Sequence, residues 1–463
     1  MEIEGSLIEQ ISQIVGADRV LIDAARLDEV SWDALSDGRL HPLRRPQAAL
    51  PLCVVLPAAT AEVREIVIRA NAAKVPVVPF GGGSGLMGGA VSLSPGIVLD
   101  LRRMDRVLEV DSEARLARVQ AGIVLEALQN RLNESRLILG HDPWTLPVAT
   151  VGGAISTNSL GYRGGKYGSM GDQVLGLEVV LPNGEILRTR SVEKSSTGIS
   201  LKHLFIGGEG CFGIVTEATL RVFPAPEKRS LCGFSFASFE QGFRAVEKIW
   251  SCGLSPALLD FGDGVDNYPE RALLYLGFEG VAKIVEAEEA LALAICGEAG
   301  GDALDHHAAE NFWRERHVIA YHFMQNRRHR RERSAETGRR DWIHVALPAS
   351  RVLAFRKEAI DILSRRGVCL QESGLWTQPE LFSMRLAVEN ADGDQGQWLL
   401  EEAVDELLRL VQKMGGSMEY CHGVGVKLAA LMAGEHGYGL EVMRQIKRVL
   451  DPGNIMNPGK LGL

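Results

Sequence analysis

Val75-Pro76-Val77-Val78-Pro79-Phe80-Gly81-Gly82-Gly83-Ser84-Gly85-Leu86-Met87-Gly88 is the stretch on which the fold turns. Its first six residues read as a short strand bracketed by prolines. Gly83-x-Gly85-x-x-Gly88 then matches the dinucleotide-binding fingerprint letter for letter. That fingerprint works only when a helix follows, with its N-terminus aimed at a pyrophosphate. Here Gly89 to Gly96 follow, Ser94-Pro95-Gly96 makes a turn, and Ile97 to Leu101 (IVLDL) reads as another strand. The match therefore fails on context. What stands is a strand–loop–strand unit whose consecutive glycine N–H groups can form an anion-binding nest. A plain tight turn is the competing reading. Gly165-Lys166-Tyr167 and Gly459-Lys460-Leu461 are not phosphate-binding loops, because no Ser or Thr follows the lysine.

The glycine excess is general. The chain has 51 glycines among 463 residues, about 11% against a usual ~7%. A second cluster runs Thr150-Val151-Gly152-Gly153-Ala154-Ile155-Ser156-Thr157-Asn158, and a third Gly207-Gly208-Glu209-Gly210-Cys211-Phe212-Gly213-Ile214-Val215. Three glycine loops, each entering or leaving a strand, suit one large planar ligand carrying a diphosphate.

The remaining pattern sets the organisation. Ser6 to Val15 and Ala61 to Ala72 carry helical spacing, and Ala49 to Leu56 reads as a buried strand. Val107–Val110 and Leu116–Val119 alternate. Leu175 to Leu181 and Glu185 to Thr189 flank Asn183-Gly184, a hairpin signal. Pro224 and Pro226 mark a boundary. Beyond them, helix-like Phe239–Trp250 and Lys283–Leu293 alternate with strand candidates Ala272–Phe278, Ile343–Leu347 and Ser383–Val388. That texture predicts an antiparallel sheet covered by helices. Val442 to Leu450 closes the chain as an amphipathic helix. Expected domains are 1–225, 226–430 and a tail, 431–463, returning to the first. The net charge of −9 argues against a nucleic-acid partner. Seven scattered cysteines with no Cys-x-x-Cys pair point to reduced thiols and a cytoplasmic setting. No run of uncharged apolar residues is long enough to span a membrane.

The three loops in this order, with His422-Gly423-Val424-Gly425 and Asp451-Pro452-x-Asn454-Ile455-x-Asn457-Pro458-Gly459-Lys460-Leu461, resemble the vanillyl-alcohol oxidase family of FAD-linked oxidases. The tail resembles its D-2-hydroxy-acid dehydrogenase branch. Gly140-His141-Asp142-Pro143, Ser196-Thr197-Gly198 and Cys421-His422-Gly423 resemble its alkyldihydroxyacetonephosphate synthase branch. The resemblance implies an α+β fold: a two-subdomain PCMH-type FAD-binding domain plus an α+β cap. It implies FAD contacts at Pro79, Phe80, Gly81, Gly82, Gly83, Ser84 and Gly85 around the diphosphate. Further contacts are implied at Asp142, Pro143, Thr145, Val148, Thr150, Gly152, Gly153, Ile155, Ser156, Thr157 and Asn158, and at Glu209, Gly210, Gly213, Ile214 and Val215.

Departures from the family pattern sharpen the expectation. Some members link flavin covalently through a first-loop histidine, and Pro79 to Gly85 contain none, so non-covalent FAD is expected. The synthase branch carries an arginine where Ser255 to Asp260 has none, histidines where Tyr420 and Cys421 stand, and a cap-strand tyrosine that Leu381 to Val388 lacks. Ether-lipid synthesis is therefore not the first expectation. The dehydrogenases often hold a metal through cap-strand histidines and a glutamate before the final His-Gly. Here the strand lacks histidine and Cys421 precedes His422, so no metal site is expected.

Oxidising an alcohol at FAD needs a group that takes the hydroxyl proton as hydride leaves. His422 is the candidate catalytic base, because imidazole titrates near neutrality. A histidine that merely bonds flavin or backbone is the competing reading. Arg314, Arg316 and Arg385 are candidates to grip a substrate carboxylate or phosphate, Arg314 following the pocket-like pair Phe312-Trp313; ordinary ion pairs compete. The basic run Arg327 to Arg340 reads as a solvated loop, with a phosphate-gripping lid as its sharper alternative. Cys421 reads as a buried, inert thiol beside the flavin, with a reactive thiol as the alternative. The expected function is two-electron oxidation of a small alcohol or 2-hydroxy acid, with electrons passing to a quinone, a carrier protein or oxygen. A synthase-like redox-neutral enzyme and a catalytically silent FAD-binding subunit are the alternatives. Assembly as a homodimer is a further expectation.

Overall fold

Cys53–Val55, Val77–Phe80 and Ile97–Asp100 are almost unbroken apolar runs, a pattern that needs cover on both faces. They run parallel in one sheet, with Ile97–Asp100 central and Val20–Leu21 antiparallel at the edge. Cys53, Val55, Val77, Ile97 and Leu99 face Ile11, Val63, Ile66 and Val67, from the helices Glu2–Val15 and Thr60–Ala73. Val54, Val78, Phe80 and Val98 point the other way, onto Leu27 and Val30 of the helix Ala24–Val30. The computed structural model describes residues 2–36, 39–40, 49–264, 270–326, 339–389 and 393–463.

A second sheet of five antiparallel strands follows, in the order Val107–Asp111, Leu116–Gln120, Ile214–Arg221, Val174–Val180, Ile186–Arg188. The Asn183-Gly184 hairpin forms as its sequence predicts, with Gly184 at φ 84°. The two sheets hold the glycine clusters between them.

The third sheet has seven antiparallel strands, in the order Asp302–Ala303, Lys228–Phe236, Ala272–Gly280, Leu258–Asp263, Cys369–Trp376, Leu381–Val388, Arg339–Ala346. One face is apolar: Phe234, Phe236, Phe261, Leu274, Leu375, Phe382 and Val345 belong to the main core. The helices Phe239–Ser251, Ala282–Glu298, Ala349–Arg366 and Gly393–Lys413 supply their apolar sides to that core. Side chains of strands alternate faces, so Asp260, Glu372, Trp376, Ser383, Arg385, Trp342 and His344 take the opposite face. That face lines a cavity.

The tail returns to the first sheet. After the helix Tyr438–Leu450, Asp451 accepts hydrogen bonds from the Ile455 and Met456 N–H groups, and Met456 bridges to Val77. Lys447 is buried and donates to the Cys211 and Met456 carbonyls and to Asp451. Among the described residues, no helix is long and apolar enough to cross a membrane.

Candidate active site

The loops that leave the parallel strands at Phe80 and Asp100 open into a groove, the usual ligand position of parallel sheets. All three glycine clusters line it, with about 170 Å³ of space between them. They also pack on one another. A Cβ on Gly82 would stand 2.1 Å from the Val148 carbonyl oxygen, and one on Gly210 would stand 2.5 Å from Pro79. Glycine is needed there so that the loops meet.

Pro79 to Gly85, Pro143, Thr145, Thr150, Gly152, Gly153, Ser156, Thr157, Glu209, Gly210, Gly213, Ile214 and Val215 line this groove. Four residues expected there do other work. Asp142 is buried beside Arg316 and His317, whose Nε and Nε2 lie 3.0 and 2.9 Å from its two oxygens. Val148 backs Gly82. Ile155 is in the core. Asn158 ends the helix Val151–Thr157 in the left-handed region and accepts from Gly171 N–H and the Ser169 hydroxyl. Asp33, Met87, Trp144 and Leu160 also line the groove, unforeseen from the sequence. Trp144 was adjacent to expected contacts, whereas nothing in the sequence signals Asp33.

A second cavity, about 190 Å³, shares Trp144, Cys421 and His422 with the groove. Its wall is the polar face of the seven-stranded sheet, with Tyr162 and Tyr420. His422 sits where the two spaces meet. Its Nδ1 lies 3.5 Å from Glu419 Oε1, and its ring centre 4.4 Å from that of His344. Glu419 also accepts from the Cys421 and His422 N–H groups. Burial opposes charge on His422, but the Cys421 and Glu419 side chains outweigh it and push it up to about 10. Burial, then His422, drives His344 down to about 3. Glu419 is held below its ordinary value by the two histidines despite its burial. Against the expectation that His422 titrates near neutrality, its surroundings shift it upward, while those of His344 shift that ring downward.

His344, Glu419 and His422 bring donor atoms within 4.8 Å of one another, and both Nδ1 atoms are buried without a hydrogen-bond partner among the described residues. The strand Leu381–Val388 and the residue before His422 offer no such histidine or glutamate, but the neighbouring strand carries His344, and Glu419 stands three residues upstream of His422. The pair His306-His307 is exposed beside Asp305.

Arg385 projects into the cavity. Among the described residues its Nε is buried without a hydrogen-bond partner, and its nearest carboxylate oxygen, on Glu372, is 4.0 Å away. Arg314 does not reach the cavity: it is 69% exposed in the last turn of the helix His306–Glu315, bonded to Asn311 and Glu315. Arg316, two residues on, holds Asp142 and stacks on Trp313, 3.8 Å from the ring centre. Of the basic run, residues 327–338 lie outside the described residues, and Arg339 and Arg340 open a strand.

Two family models match: an FAD binding domain over residues 51–190, and the C-terminal domain of FAD linked oxidases over residues 225–461. The chain belongs to the FAD-linked oxidase family. It is 30% identical over 450 residues to the glycolate oxidase subunit GlcD of Bacillus subtilis, covering 93% of this chain and 94% of that one. It is 31% identical over 471 residues to a D-lactate dehydrogenase of Archaeoglobus fulgidus, covering 98% and 99%. A solved alkyldihydroxyacetonephosphate synthase shares the fold, with a TM-score of 0.79 at 22% identity over 98% of this chain and 84% of that one. This FAD-linked oxidase is an FAD-dependent oxidoreductase.

The groove suits that cofactor. Leu101, Ala121, Ala149, Leu160 and Val215 give an apolar bed for a planar ring, and the Gly81–Gly85 backbone offers N–H groups for a diphosphate.

Proposed function

We propose that this FAD-linked oxidase dehydrogenates a 2-hydroxy acid held in the cavity beside His422. Arg385 carries the reading. A half-buried guanidinium whose Nε finds no partner among the described residues, lining the same cavity as the paired histidines, matches a molecule with a carboxylate next to a hydroxyl. The relatives named for glycolate and D-lactate support it. Arg385 binds the carboxylate. His422, as imidazolium, donates to the substrate hydroxyl oxygen and fixes its direction. Neutral His344 is a weak base, so it takes the hydroxyl proton only as the hydride leaves and the hydroxyl becomes strongly acidic, and Glu419 balances the charge that accumulates on the two rings. FAD, when bound, supplies the hydride acceptor. The residues lining the groove hold it without a covalent link, since the first loop has no histidine. The trio holds a proton in this reading, not a metal ion.

A phosphate-bearing substrate fits this cavity less well. Arg385 would face it together with two carboxyl groups, Asp260 and Glu372.

Anaerobic mixing with D- and L-2-hydroxy acids tests the assignment. Bleaching of the flavin by one enantiomer series is expected. Arg385→Ala should raise the substrate concentration for half-maximal bleaching by about 10- to 100-fold, the loss of one charge-assisted hydrogen-bond pair. An unchanged value would remove the carboxylate role.

A further inference from the structure

The same cavity carries a feature that binding a short hydroxy acid does not use. Asp260, in the strand Leu258–Asp263, turns to the cavity face while Leu259 and Phe261 enter the core. Its carboxyl has no hydrogen bond or ion pair among the described residues. The nearby groups in the cavity wall are Glu372, Tyr162 and Tyr420. Asp260 is half-buried and opens onto the cavity, where an acceptor with no protein partner is free to take a hydroxyl from a ligand. Burial and then Glu372 raise it to about 7, so near neutrality it is an uncharged or part-charged acceptor, suited to a hydroxyl.

Size points the same way. At roughly 15 Å³ of such space per water, 190 Å³ holds about a dozen waters. A two- or three-carbon acid on Arg385 would leave much of this space filled with water. The free wall offers aromatic faces, Trp144, Trp342 and Trp376, interrupted by polar groups at Asp260 and Tyr162. Gly262 and Gly374 sit opposite each other in adjoining strands, leaving the wall without side chains at that pair.

We propose that Asp260 is a specificity residue that reads a further hydroxyl on the substrate. The substrate would be a 2-hydroxy acid longer than lactate, carrying at least one additional hydroxyl away from its carboxylate. This rests on the assignment of the cavity to a 2-hydroxy acid. A site built to accept from a substrate hydroxyl rejects the analogue lacking it far more strongly than it rejects a change in length, because the acceptor is then left buried and unpaired.

The test compares matched substrates on the FAD-loaded enzyme: glycerate against lactate, and 3-(4-hydroxyphenyl)lactate against 3-phenyllactate, each as both enantiomers. Anaerobic flavin bleaching is the readout. The hydroxylated member of at least one pair should be favoured by about 10- to 100-fold in kcat/KM. In Asp260→Ala the ratio should fall toward one, and in Asp260→Asn, whose amide oxygen still accepts, it should fall less. Flavin absorbance and bleaching by dithionite confirm that each variant is folded and loaded. An equal ratio in wild type and Asp260→Ala, or wild-type preference for the plain acids in both pairs, overturns the proposal. If no 2-hydroxy acid of any kind bleaches the wild type, the cavity assignment itself falls, a different result.

Discussion

Glu419→Gln separates the two histidine roles. The carboxylate lies 3.5 Å from His422 Nδ1 in a buried site. At that distance, with an effective dielectric of ~20, one unit charge is worth about 5 kcal/mol, or between about 3 and 4 pKa units. Removing it should bring His422 from about 10 to roughly 6–7. Cys421 also contributes to His422, so the drop is bounded by the share that Glu419 supplies. His344 sits near 3 because of its burial and the His422 charge, so it is neutral at working pH in both proteins.

The assay is the rate of anaerobic flavin bleaching, measured from pH 5 to 10.5 at saturating substrate. In the wild type, a reaction that needs protonated His422 and neutral His344 should run on a plateau across neutrality and decline only as pH approaches 10. In Glu419→Gln the decline should begin near pH 7. The sign is the informative part. A group whose pKa is raised keeps its proton, and the interaction that depends on the proton, up to that raised value. A single neutral histidine base would instead give a wild-type rate that climbs through pH 6–7. Such a climb, or a variant profile superimposable on the wild type, would refute the charge assignment.

Asp142→Asn should destabilise the enzyme by about 3–5 kcal/mol, because Arg316 and His317 lose a buried counter-charge; thermal melting reads it directly. Burial raises Asp142, but His317, Arg163 and Arg316 hold it well below the carboxylate range. Its stabilising contribution is therefore complete above its unfolded value of ~4 and lost as pH falls through the native one, and the variant should flatten the acid limb of the stability curve. Gly82→Ala places a methyl 2.1 Å from the Val148 carbonyl, so the loops must separate; the purified variant should carry less flavin per chain than wild type by absorbance. Acid precipitation should leave the flavin in the supernatant, whereas a yellow pellet would mean a covalent link. Exhaustive chelation should leave bleaching intact; loss of activity restored by a divalent ion would make His344, Glu419 and His422 metal ligands.

The sequence made the groove legible because close backbone approach can be met only by glycine, and composition records that requirement openly. Gly81 to Gly85, Gly152-Gly153 and Gly210 are visible in one dimension for that reason. The cavity was less legible. His344 and Glu419 are separated by 74 intervening positions in the chain and meet through strand pairing, which single-sequence periodicity does not report. Arg314 and Arg316 are indistinguishable by residue type, and only the end of the helix at Glu315 decides that one faces water and the other Asp142. Lys228–Phe236 and Cys369–Trp376 escaped notice as strands because their cavity-side or exposed positions are polar or glycine. The polarity that hid Cys369–Trp376 helps to form the site.

The segment from Glu419 to Lys427 shows how cofactor groove and cap cavity are kept in register. It is held from three directions by buried carboxylates. Glu209, from the third glycine cluster, accepts from the Val424 and Gly425 N–H groups. Glu419 accepts from the segment's own Cys421 and His422 N–H groups. Asp341, from the cap strand that bears His344, pairs with Lys427 and with Arg39. One anchor belongs to the groove, one to the segment and one to the cap, so His422 cannot shift relative to either half without uncovering a buried charge. Burial raises Glu209 to about 7 although Val424, Gly425 and Lys460 oppose the rise, so this anchor is the one nearest to titrating at working pH. Glu209→Gln keeps an acceptor oxygen but presents an amide NH₂ in place of the second one. The Gly425 N–H can bond either oxygen of Glu209, so the amide still serves part of the contact. The expected result is a chain that folds and binds FAD, with slower bleaching at unchanged half-saturation, because the histidines are displaced from the flavin while Arg385 is untouched. A change in half-saturation with an unchanged limiting rate would mean that the segment places substrate and not the proton-handling pair.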